Sequence, residues 1–404
     1  MPVNNNKKRR HTDSSTSLGV LPPVDGSLGE GGGQVIRVTA SNSAMTRKNA
    51  DVTHIRAKRP KPGLQEQHAA CVKAVVAIAG GGKLFGCEVG SSTLRIEWDD
   101  DDNHVPQTDA DGVEIHNVQI NTAGATTLVI QACLPPLLMP HKPPVADRVR
   151  LSITGGTDAS FAPTVDYTKH VFLPTIRRMF QSLDAQLDVQ RRGFYPIGGG
   201  KIQLSLNNRS GHPPAPLNLE MRGETKNVTV RVVHVSTKRA SELGEQFITV
   251  MRSSPSFAQG VTYGEVLVES AQGCKIGGGS RGGVGSLLVT LETSCGALLG
   301  YNTLFAKGDT DDKITQAFTN LVQIAEKDAA SNACLDRPMT DQILPYLACA
   351  AGNSRVAIRA PLTPHAVTSL QLLEEQLGTS FTFHRADGID TMGILTCTGR
   401  RSAE

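Results

Sequence analysis

A unit made of a helix, a strand, a glycine-rich turn and a second strand recurs along the sequence. It lies around Leu64–Ile96, Thr126–Thr154 and Asp166–Leu206, and it resumes from Asp341. Repetition of such a unit predicts several similar layers, each a sheet covered on one side by helices. The fold class is therefore α/β, and 404 residues suffice for two or three domains.

The character of the sequence changes in the second half. Val228–Ser236 is a strongly β-branched strand, and Asp311–Lys327 is an amphipathic helix that Asp309 or Thr310 could cap. We interpret this region as a smaller inserted α/β domain. The predicted domains are a tail at 1–23, a main domain at 24–221 and 333–400, and the insertion at 222–332.

The N-terminal tail is polar and rich in Ser, Thr and Asn. Such a composition cannot bury a core, so we expect disorder there. The tail contains a basic cluster, Lys7–Arg10. This cluster predicts a nuclear-import signal and hence a nuclear location, and the alternative is a solvated tail on a cytoplasmic protein.

Charge and cysteine usage exclude several classes of protein. The formal net charge is +3 at pH 7, too small for non-specific nucleic-acid binding by bulk electrostatics, so such contacts depend on local clusters. The eight cysteines contain no C-x-x-C pair, which predicts reduced, buried thiols in an intracellular protein. No apolar run is long enough to span a membrane, and the N-terminus lacks the apolar segment of a secretion signal.

The first glycine-rich stretch, Asp25–Val38, surrounds one carboxylate, Glu30, with four glycines. Gln34 and Arg37 follow as the chain becomes apolar, and Gln34–Ala40 could be a strand or the start of a helix. Glycine permits a left-handed backbone or a close approach by another group. This pattern indicates a nucleotide, metal or phosphate site, and the alternative is a simple turn between two segments.

A basic loop precedes the first predicted helix of the repeats. Four cations lie beside two prolines and a glycine within Arg56–His68. The strand predicted before this loop, Val52–Ala57, overlaps its first two residues. The helix, from about Leu64 to Ala79, carries Gln67 and His68 in its first turn. A helix N-terminus favours an anion, so guanidinium groups beside it would clamp a phosphate. The alternative is a solvated basic loop.

Three further segments have weaker signals. The apolar helix Thr122–Leu138 contains one mid-segment polar residue, Gln131, which needs a partner if it is buried. The acidic run Asp99–Asp102 predicts a surface loop, with a divalent metal site as the alternative. The glycine run Lys275–Ser286 predicts a flexible turn, because no G-K-[ST] follows it as in a phosphate loop.

A histidine near the C-terminus, His365, lies just before a predicted helix and next to Pro364. Its imidazole is largely uncharged near neutral pH, so it could act as a nucleophile or a base. The alternative is a structural histidine. Asp341 and Gln342 are predicted to open the preceding apolar helix.

The chain resembles the RNA 3′-terminal phosphate cyclases over nearly its whole length past Val24. Four blocks in the family's order carry the resemblance: D-G-S-x-G-E-G-G-G-Q-x-x-R (Asp25–Arg37), I-R-A-K-R-x-K-P-G-L-x-x-Q-H (Ile55–His68), G-F-Y-P-x-G-G-G (Gly193–Gly200) and D-Q…P-L-T-x-H-x-x-T (Asp341–Thr368). The resemblance implies three repeated units, each a four-stranded sheet backed by two helices, plus an inserted α/β domain.

The resemblance also implies a nucleotidyl-transfer reaction. His365 matches the histidine that attacks the α-phosphate of ATP and expels pyrophosphate. The AMP then moves to an RNA 3′-phosphate, giving an RNA(3′)pp(5′)A end. Attack by the neighbouring 2′-OH closes a 2′,3′-cyclic phosphate and releases AMP. The charge that develops on each phosphoryl group calls for cations and a divalent metal, Mg²⁺ or Mn²⁺.

Roles for further residues follow from the same match. Glu30 would bind the metal or orient the reacting groups, while Gln34 and Arg37 would position metal and phosphate. The residues expected to hold the RNA phosphate are Arg56, Arg59, Gln67 and His68. Those expected to form the adenosine pocket are Gln131, Pro163, Asp341 and Gln342.

The sequence departs from the family pattern at two positions. Pro338 stands where the family usually has an aromatic residue, so one wall of the adenine pocket differs, and Ser369 stands where an asparagine is common. A cyclase-like relative in ribosome biogenesis keeps the fold without the nucleophile, so a catalytically silent RNA-processing factor is the alternative function. His365 and the intact Arg56–His68 block favour the enzyme.

Overall fold

Three four-stranded sheets and one five-stranded sheet form the framework of the computed structural model. The structure describes residues 19–99, 106–271, 274, 284–386 and 389–399, with only the main chain at 386, 389 and 390. The predicted α/β class is confirmed, and each four-stranded sheet has the same strand order and directions.

The first unit runs β-α-β-α-β-β. Its sheet has the order β1-β2-β4-β3, with one parallel pair followed by two antiparallel pairs. The elements are β1 (Val24–Asp25), α1 (Gly33–Thr46), β2 (Ala50–Thr53), α2 (Glu66–Ile78), β3 (Lys83–Phe85) and β4 (Leu94–Glu97).

The second unit repeats this topology, with sheet order β5-β6-β8-β7. Its second helix contains a π-helical turn, Thr168–Phe172, between two α-helical pieces. The elements are β5 (Glu114–Gln119), α3 (Thr126–Leu138), β6 (Val149–Gly155), α4 (Val165–Tyr167), α5 (Leu173–Arg177), β7 (Asp184–Arg191) and β8 (Gly200–Asn207).

The inserted elements follow β9 (Asn218–Leu219), the first strand of the third unit. They form the five-stranded sheet, in which β10 is central, with two helices. These elements are β10 (Thr225–His234), α6 (Thr237–Arg252), β11 (Thr262–Tyr263), β12 (Leu267–Ser270), β13 (Gly285–Thr293), β14 (Leu298–Phe305) and α7 (Asp311–Ala330). They lie within the predicted interval 222–332, and the division into domains there stays a prediction.

The third unit resumes after the insertion and completes its sheet in the order β9-β15-β17-β16, again with one parallel and two antiparallel pairs. Its remaining elements are α8 (Arg337–Cys349), β15 (Asn353–Arg359), α9 (Pro364–Leu377), β16 (Ser380–Ala386) and β17 (Ile389–Thr398). The expected three units, each with four strands and two helices, are therefore present.

Helices from all three units pack against one another. Helix α1 contacts α2, α3 and α9, and α8 contacts α9 and α3. Buried polar side chains fix these contacts: Ser41 Oγ donates to the carbonyl oxygen of Ala132 at 3.0 Å, and Asn42 Nδ2 donates to Gln376 Oε1 at 2.8 Å. The first turns of α1 and α9 meet where Gln34 Nε2 donates to the His365 carbonyl oxygen, and Asp341 of α8 accepts from Thr363 Oγ1 just before α9.

Several predicted boundaries need correction. The packed fold begins before Val24, because Leu21 is 1% exposed and its N–H donates to the carbonyl oxygen of Asn49. The strand predicted at Val52–Ala57 ends at Thr53, because positive φ angles at 54 and 56 break the extended conformation. Residues 34–40 are helical, the alternative that the short apolar run left open.

The helix starts also differ in part from expectation. Asp341 and Gln342 lie inside α8 rather than at its start, because Asp336 caps that helix by accepting from the Met339 N–H. His365 is already in the first turn of α9. Thr310, not Asp309, caps α7.

Some predictions concern residues outside the described ranges. These include the tail cluster Lys7–Arg10, most of the acidic run Asp99–Asp102 and most of the glycine run Lys275–Ser286. Five of the eight cysteines are buried, as expected, whereas Cys274 and Cys349 are half-buried and Cys295 is exposed. In the described part of the chain, every helix is too short or too polar to cross a membrane.

Candidate active site

A cleft of about 340 Å³ lies where the three units and the inserted sheet meet. This volume is within the range of small-molecule sites. Residues predicted from opposite ends of the sequence share its lining, namely Gln34, Arg37, Gln131, Pro163, Asp341, Gln342 and His365. The cleft thus joins the predicted nucleophile to the predicted nucleotide-binding residues.

The glycine-rich loop brings the chain to the N-terminus of α1 at the edge of this cleft. Gly29 and Gly31 have φ angles of 57° and 59°, a region that favours glycine. A Cβ atom on Gly29 would lie 2.2 Å from Thr368 Oγ1, so glycine also lets α9 approach. The N-cap residue Gly32 makes no side-chain cap, which leaves the first N–H groups of α1 available to an anion.

His365 is held at the start of α9 by its neighbours. Thr363 caps the helix by accepting from the Ala366 N–H at 2.9 Å. Gln34 Nε2 donates to the His365 carbonyl oxygen at 3.0 Å and to Ser369 Oγ at 2.6 Å. The His365 side chain is 46% exposed. The backbone is fixed while the imidazole stays accessible, as a nucleophile requires.

Glu30 lies between His365 and a guanidinium group. Its Oε2 is 3.6 Å from His365 Nε2 and 3.1 Å from Arg59 Nη2. The first distance exceeds a hydrogen bond but is short for an electrostatic contact. This carboxylate therefore faces the imidazole and can orient it, while its role in positioning the reacting groups stays a prediction.

Cationic and N–H groups converge beside the first turn of α1. Arg37 has no acid within ion-pair distance among the residues that the structure describes, and burial lowers its pKa. His68 Nε2 lies against α1, since a Cβ atom on Gly33 would be 2.1 Å from it. An unpaired guanidinium beside free helix N–H groups is suited to a phosphate.

His68 is neutral in this position. Burial lowers its pKa most, and Arg37 and Arg56 lower it further, to about 3. Its Nδ1 accepts from the Gln65 N–H at 3.2 Å, so the neutral ring carries its proton on Nε2. That nitrogen lies against Gly33 in the first turn of α1, where the phosphate is expected.

The other two residues predicted at the RNA phosphate bond to main-chain groups of the protein. Gln67 Oε1 accepts from the Ala125 N–H at 2.9 Å, so this side chain holds the start of α3. Arg56 Nε donates to the Lys61 carbonyl oxygen at 3.3 Å. Their predicted phosphate contacts stay predictions.

Two glutamines that line the cleft form an amide pair. Gln131 Nε2 donates to Gln342 Oε1 at 2.9 Å, which gives Gln131 the partner expected for it. Gln342 Nε2 donates to the Pro338 carbonyl oxygen at 2.8 Å. Thr127 Oγ1 donates to the Pro163 carbonyl oxygen at 2.8 Å. These bonds fix the walls predicted for adenosine.

Asp341 connects α8 to the start of α9, because its carboxylate accepts from Thr363 Oγ1. Burial raises its pKa to about 6, although the Thr363 hydrogen bond and the charges of His365 and Arg337 oppose this shift. The Asp341 carboxyl group therefore takes up its proton at a higher pH than an exposed aspartate does.

The sequence did not predict several lining residues. Arg337 and Pro345 lie four residues before and after Asp341 on α8, so helical periodicity could have indicated them. Phe161 and Asn302 had no such signal, since they come from a loop and from β14 of the inserted sheet. Their placement depends on the tertiary arrangement.

The side chains near the cleft can hold a metal ion only if the substrate supplies further ligands. Among the described residues, no three His, Cys, Asp or Glu side chains cluster closely enough to hold a metal. Mg²⁺ commonly binds through one or two carboxylates together with substrate phosphates. Glu30, with its side chain 42% exposed beside the predicted phosphate position, provides one such carboxylate.

The chain is similar to a family of known proteins over most of its length. The model of the family described as RNA 3′-terminal phosphate cyclase matches residues 28–383. A protein named RNA 3′-terminal phosphate cyclase from Hyperthermus butylicus is 33% identical over 87% of this chain and 90% of its own length. A protein with that name from Methanothermobacter thermautotrophicus is 33% identical over 89% of this chain and 95% of its own length. Another, from Methanosarcina mazei, is 30% identical over 92% of this chain and 99% of its own length.

These three relatives are archaeal. Their names give no support for the nuclear location expected from the basic cluster Lys7–Arg10. That location stays a prediction.

Proposed function

The chain belongs to the RNA 3′-terminal phosphate cyclase family, and we propose that it converts an RNA 3′-phosphate end to a 2′,3′-cyclic phosphate at the expense of ATP. The observation that carries this proposal is the shared cleft of His365, Arg37 and Gln342. An accessible imidazole shares this cleft with a guanidinium group and with apolar and amide side chains. ATP offers an electrophilic phosphorus, further phosphates and a base to these groups.

In the first step, a ring nitrogen of His365 attacks the α-phosphorus of ATP. The bond to the bridging oxygen breaks, and pyrophosphate leaves with the electron pair. The ring then passes its N–H proton to solvent, so the imidazole is neutral and the phosphoramidate keeps one negative charge on its phosphoryl oxygens. Arg37 and the N–H groups of α1 would stabilise the charge on the phosphates, while the Gln34 hydrogen bond at 3.0 Å holds the His365 backbone in place.

In the second step, an oxygen of the RNA 3′-phosphate attacks the histidine-bound α-phosphorus. The P–N bond breaks and the imidazole regains a proton, which gives RNA(3′)pp(5′)A. The RNA phosphate would lie near Arg56, Arg59 and the N–H of His68. In the third step, the 2′-OH attacks the RNA phosphorus, releases AMP and loses its proton.

A divalent metal, Mg²⁺ or Mn²⁺, when bound, would neutralise charge that develops on the phosphates. Glu30 would hold it together with phosphate oxygens. In the absence of that ion, Glu30 keeps its contacts to Arg59 and His365, which orient both side chains toward the same point.

A cyclisation assay tests the proposal. An RNA labelled at its 3′-terminal phosphate is incubated with ATP and Mg²⁺ or Mn²⁺. We expect the label to become phosphatase-resistant, with one AMP released per end. His365→Ala should abolish the conversion, while His384→Ala, at an exposed histidine of β16 outside the cleft, should retain it. No conversion by the unsubstituted protein under either metal would favour a catalytically silent RNA-processing factor.

A further inference from the structure

Among the described residues that line the cleft, Phe161 has the most exposed large apolar side chain. Its relative exposure is 105%, and it borders the cleft beside Pro163. A fully exposed aromatic ring at the mouth of a binding site has apolar surface that a ligand can cover. Its position therefore calls for a functional explanation.

The backbone at Phe161 is also unusual. Its φ angle is 62°, a left-handed conformation that is uncommon for a bulky residue. Strained backbone persists where the surrounding structure enforces it, often at ligand clamps. Here the flanking residues are anchored, since Asp158 forms a β-bridge with Phe194 and the Pro163 carbonyl oxygen accepts from Thr127. The loop therefore presents the ring from a fixed base.

The described lining of the cleft includes two phenylalanines, Phe161 and Phe172, besides the imidazole of His365. Phe172 is 1% exposed and packs edge-on against Tyr346, with ring centroids 6.2 Å apart. Its face is thus committed to the core. The apolar lining residues such as Pro338 have no π-system. Apart from the imidazole of His365, which the proposed reaction uses, Phe161 is the residue of this described lining that can offer an aromatic face to a ligand.

We propose that the ring of Phe161 stacks on the adenine base of ATP and provides the aromatic wall that Pro338 does not. This inference rests on the proposed function and deepens it by naming a specificity-determining residue. The base would lie between Phe161 and the apolar walls, near the Gln131–Gln342 amide pair. The phosphates would then extend toward Arg37 and His365.

Binding measurements on four variants test this role. Stacking of a base on an aromatic ring typically changes affinity by about tenfold. Phe161→Ala and Phe161→Leu should therefore weaken ATP binding about tenfold, and Phe161→Tyr should bind within about twofold of the parent. Phe85→Ala removes a half-exposed aromatic of β3 outside the cleft and should change nothing. Inorganic tripolyphosphate, which lacks a base, should bind all variants equally.

The rate of self-adenylylation at saturating ATP separates this role from a structural one. Phe161→Ala should raise the KM for ATP and leave kcat unchanged, because the ring contacts no phosphate. Unchanged ATP affinity in Phe161→Ala would overturn the proposal, as would an equal loss of tripolyphosphate binding. Slower transfer to RNA with unchanged ATP affinity would assign the ring to the RNA instead. Absence of ATP binding by the unsubstituted protein would overturn both this inference and the proposed function.

Discussion

The side-chain amide of Gln34 donates a hydrogen bond to the backbone carbonyl oxygen of His365 across 3.0 Å, although the two residues are 331 positions apart. Gln34 follows the glycine-rich loop in the first unit, and His365 begins α9 in the third. Glycine lets α9 approach that loop closely, and the amide then fixes its position. The contact therefore connects the glycine-rich motif to the proposed nucleophile.

Gln34→Leu should slow self-adenylylation about ten- to a hundredfold, because small misplacements of a nucleophile are costly. Its effect on the free energy of unfolding should be small, about 1 kcal/mol. Labelled-ATP kinetics and urea unfolding measure the two effects. Gln376→Leu breaks another bond between the same helices, to Asn42, and should lower stability while preserving activity. Equal activity of Gln34→Leu and the parent would show that this contact does not position His365.

Asp341 gives a pH dependence of stability. Its pKa is raised from 3.8 to about 6 in the folded state, so the folded protein binds more protons than the unfolded chain between these values. Stability therefore falls as pH rises through that window. Asp341→Asn removes this pH dependence. The free energy of unfolding of the variant minus that of the parent should therefore rise from pH 4 to 6 and stay constant above pH 6. Urea unfolding at each pH tests this, and a difference that is constant from pH 4 to 7 would refute the shift.

Arg56 and Arg59 should serve RNA more than ATP. Arg56→Ala and Arg59→Ala should reduce transfer of AMP to an RNA 3′-phosphate about tenfold or more, because each removes a charge-assisted contact. Self-adenylylation should change far less. Single-turnover kinetics of the two steps measure this. Arg95→Ala removes a surface arginine of β4 that pairs with Glu97 and serves as the control. An equal loss in both steps would assign the two arginines to the triphosphate.

Arg192 should be a major contributor to stability. Its guanidinium is buried, donates to both oxygens of Asp166 at 2.8 and 2.9 Å, and pairs with Glu269 of β12. Arg192→Leu would leave the Asp166 carboxylate buried without a counter-charge, at a cost of about 3–5 kcal/mol. Arg355→Leu breaks an exposed pair with Glu220 and should cost less than about 1 kcal/mol. Similar urea midpoints for the two variants would contradict this difference.

The repeats could be predicted from the sequence because helix periodicity and glycine turns are local signals. The family resemblance then implied the nucleotide-binding residues, and the cleft does bring Gln131 and Gln342 together. The predicted start of α8 at Asp341 is four residues too late, since Asp336 caps the helix and Pro338 lies in its first turn, a combination that marks a helix start in sequence. The two-residue strand Asn218–Leu219 is too short for a pattern, so the first strand of the third unit was missed.

Other features depend on tertiary structure alone. The role of Gln67 in holding α3 requires the contact between two units, and no spacing predicts it. The exposure of Phe161 likewise follows from its anchored loop. The sequence does not decide whether Gln34–Ala40 is a strand or a helix. The packing of α1 against three other helices explains why this segment is helical.

Mapping of the covalent adduct tests the central claim most directly. The protein is incubated with α-labelled ATP and Mg²⁺ or Mn²⁺, and the modified peptide is identified by mass spectrometry. We predict one AMP on the imidazole of His365, with a bond that is labile to acid and stable to alkali, and no adduct in His365→Ala. An adduct on another residue, or equal labelling of His365→Ala, would contradict the assignment of His365 as the nucleophile.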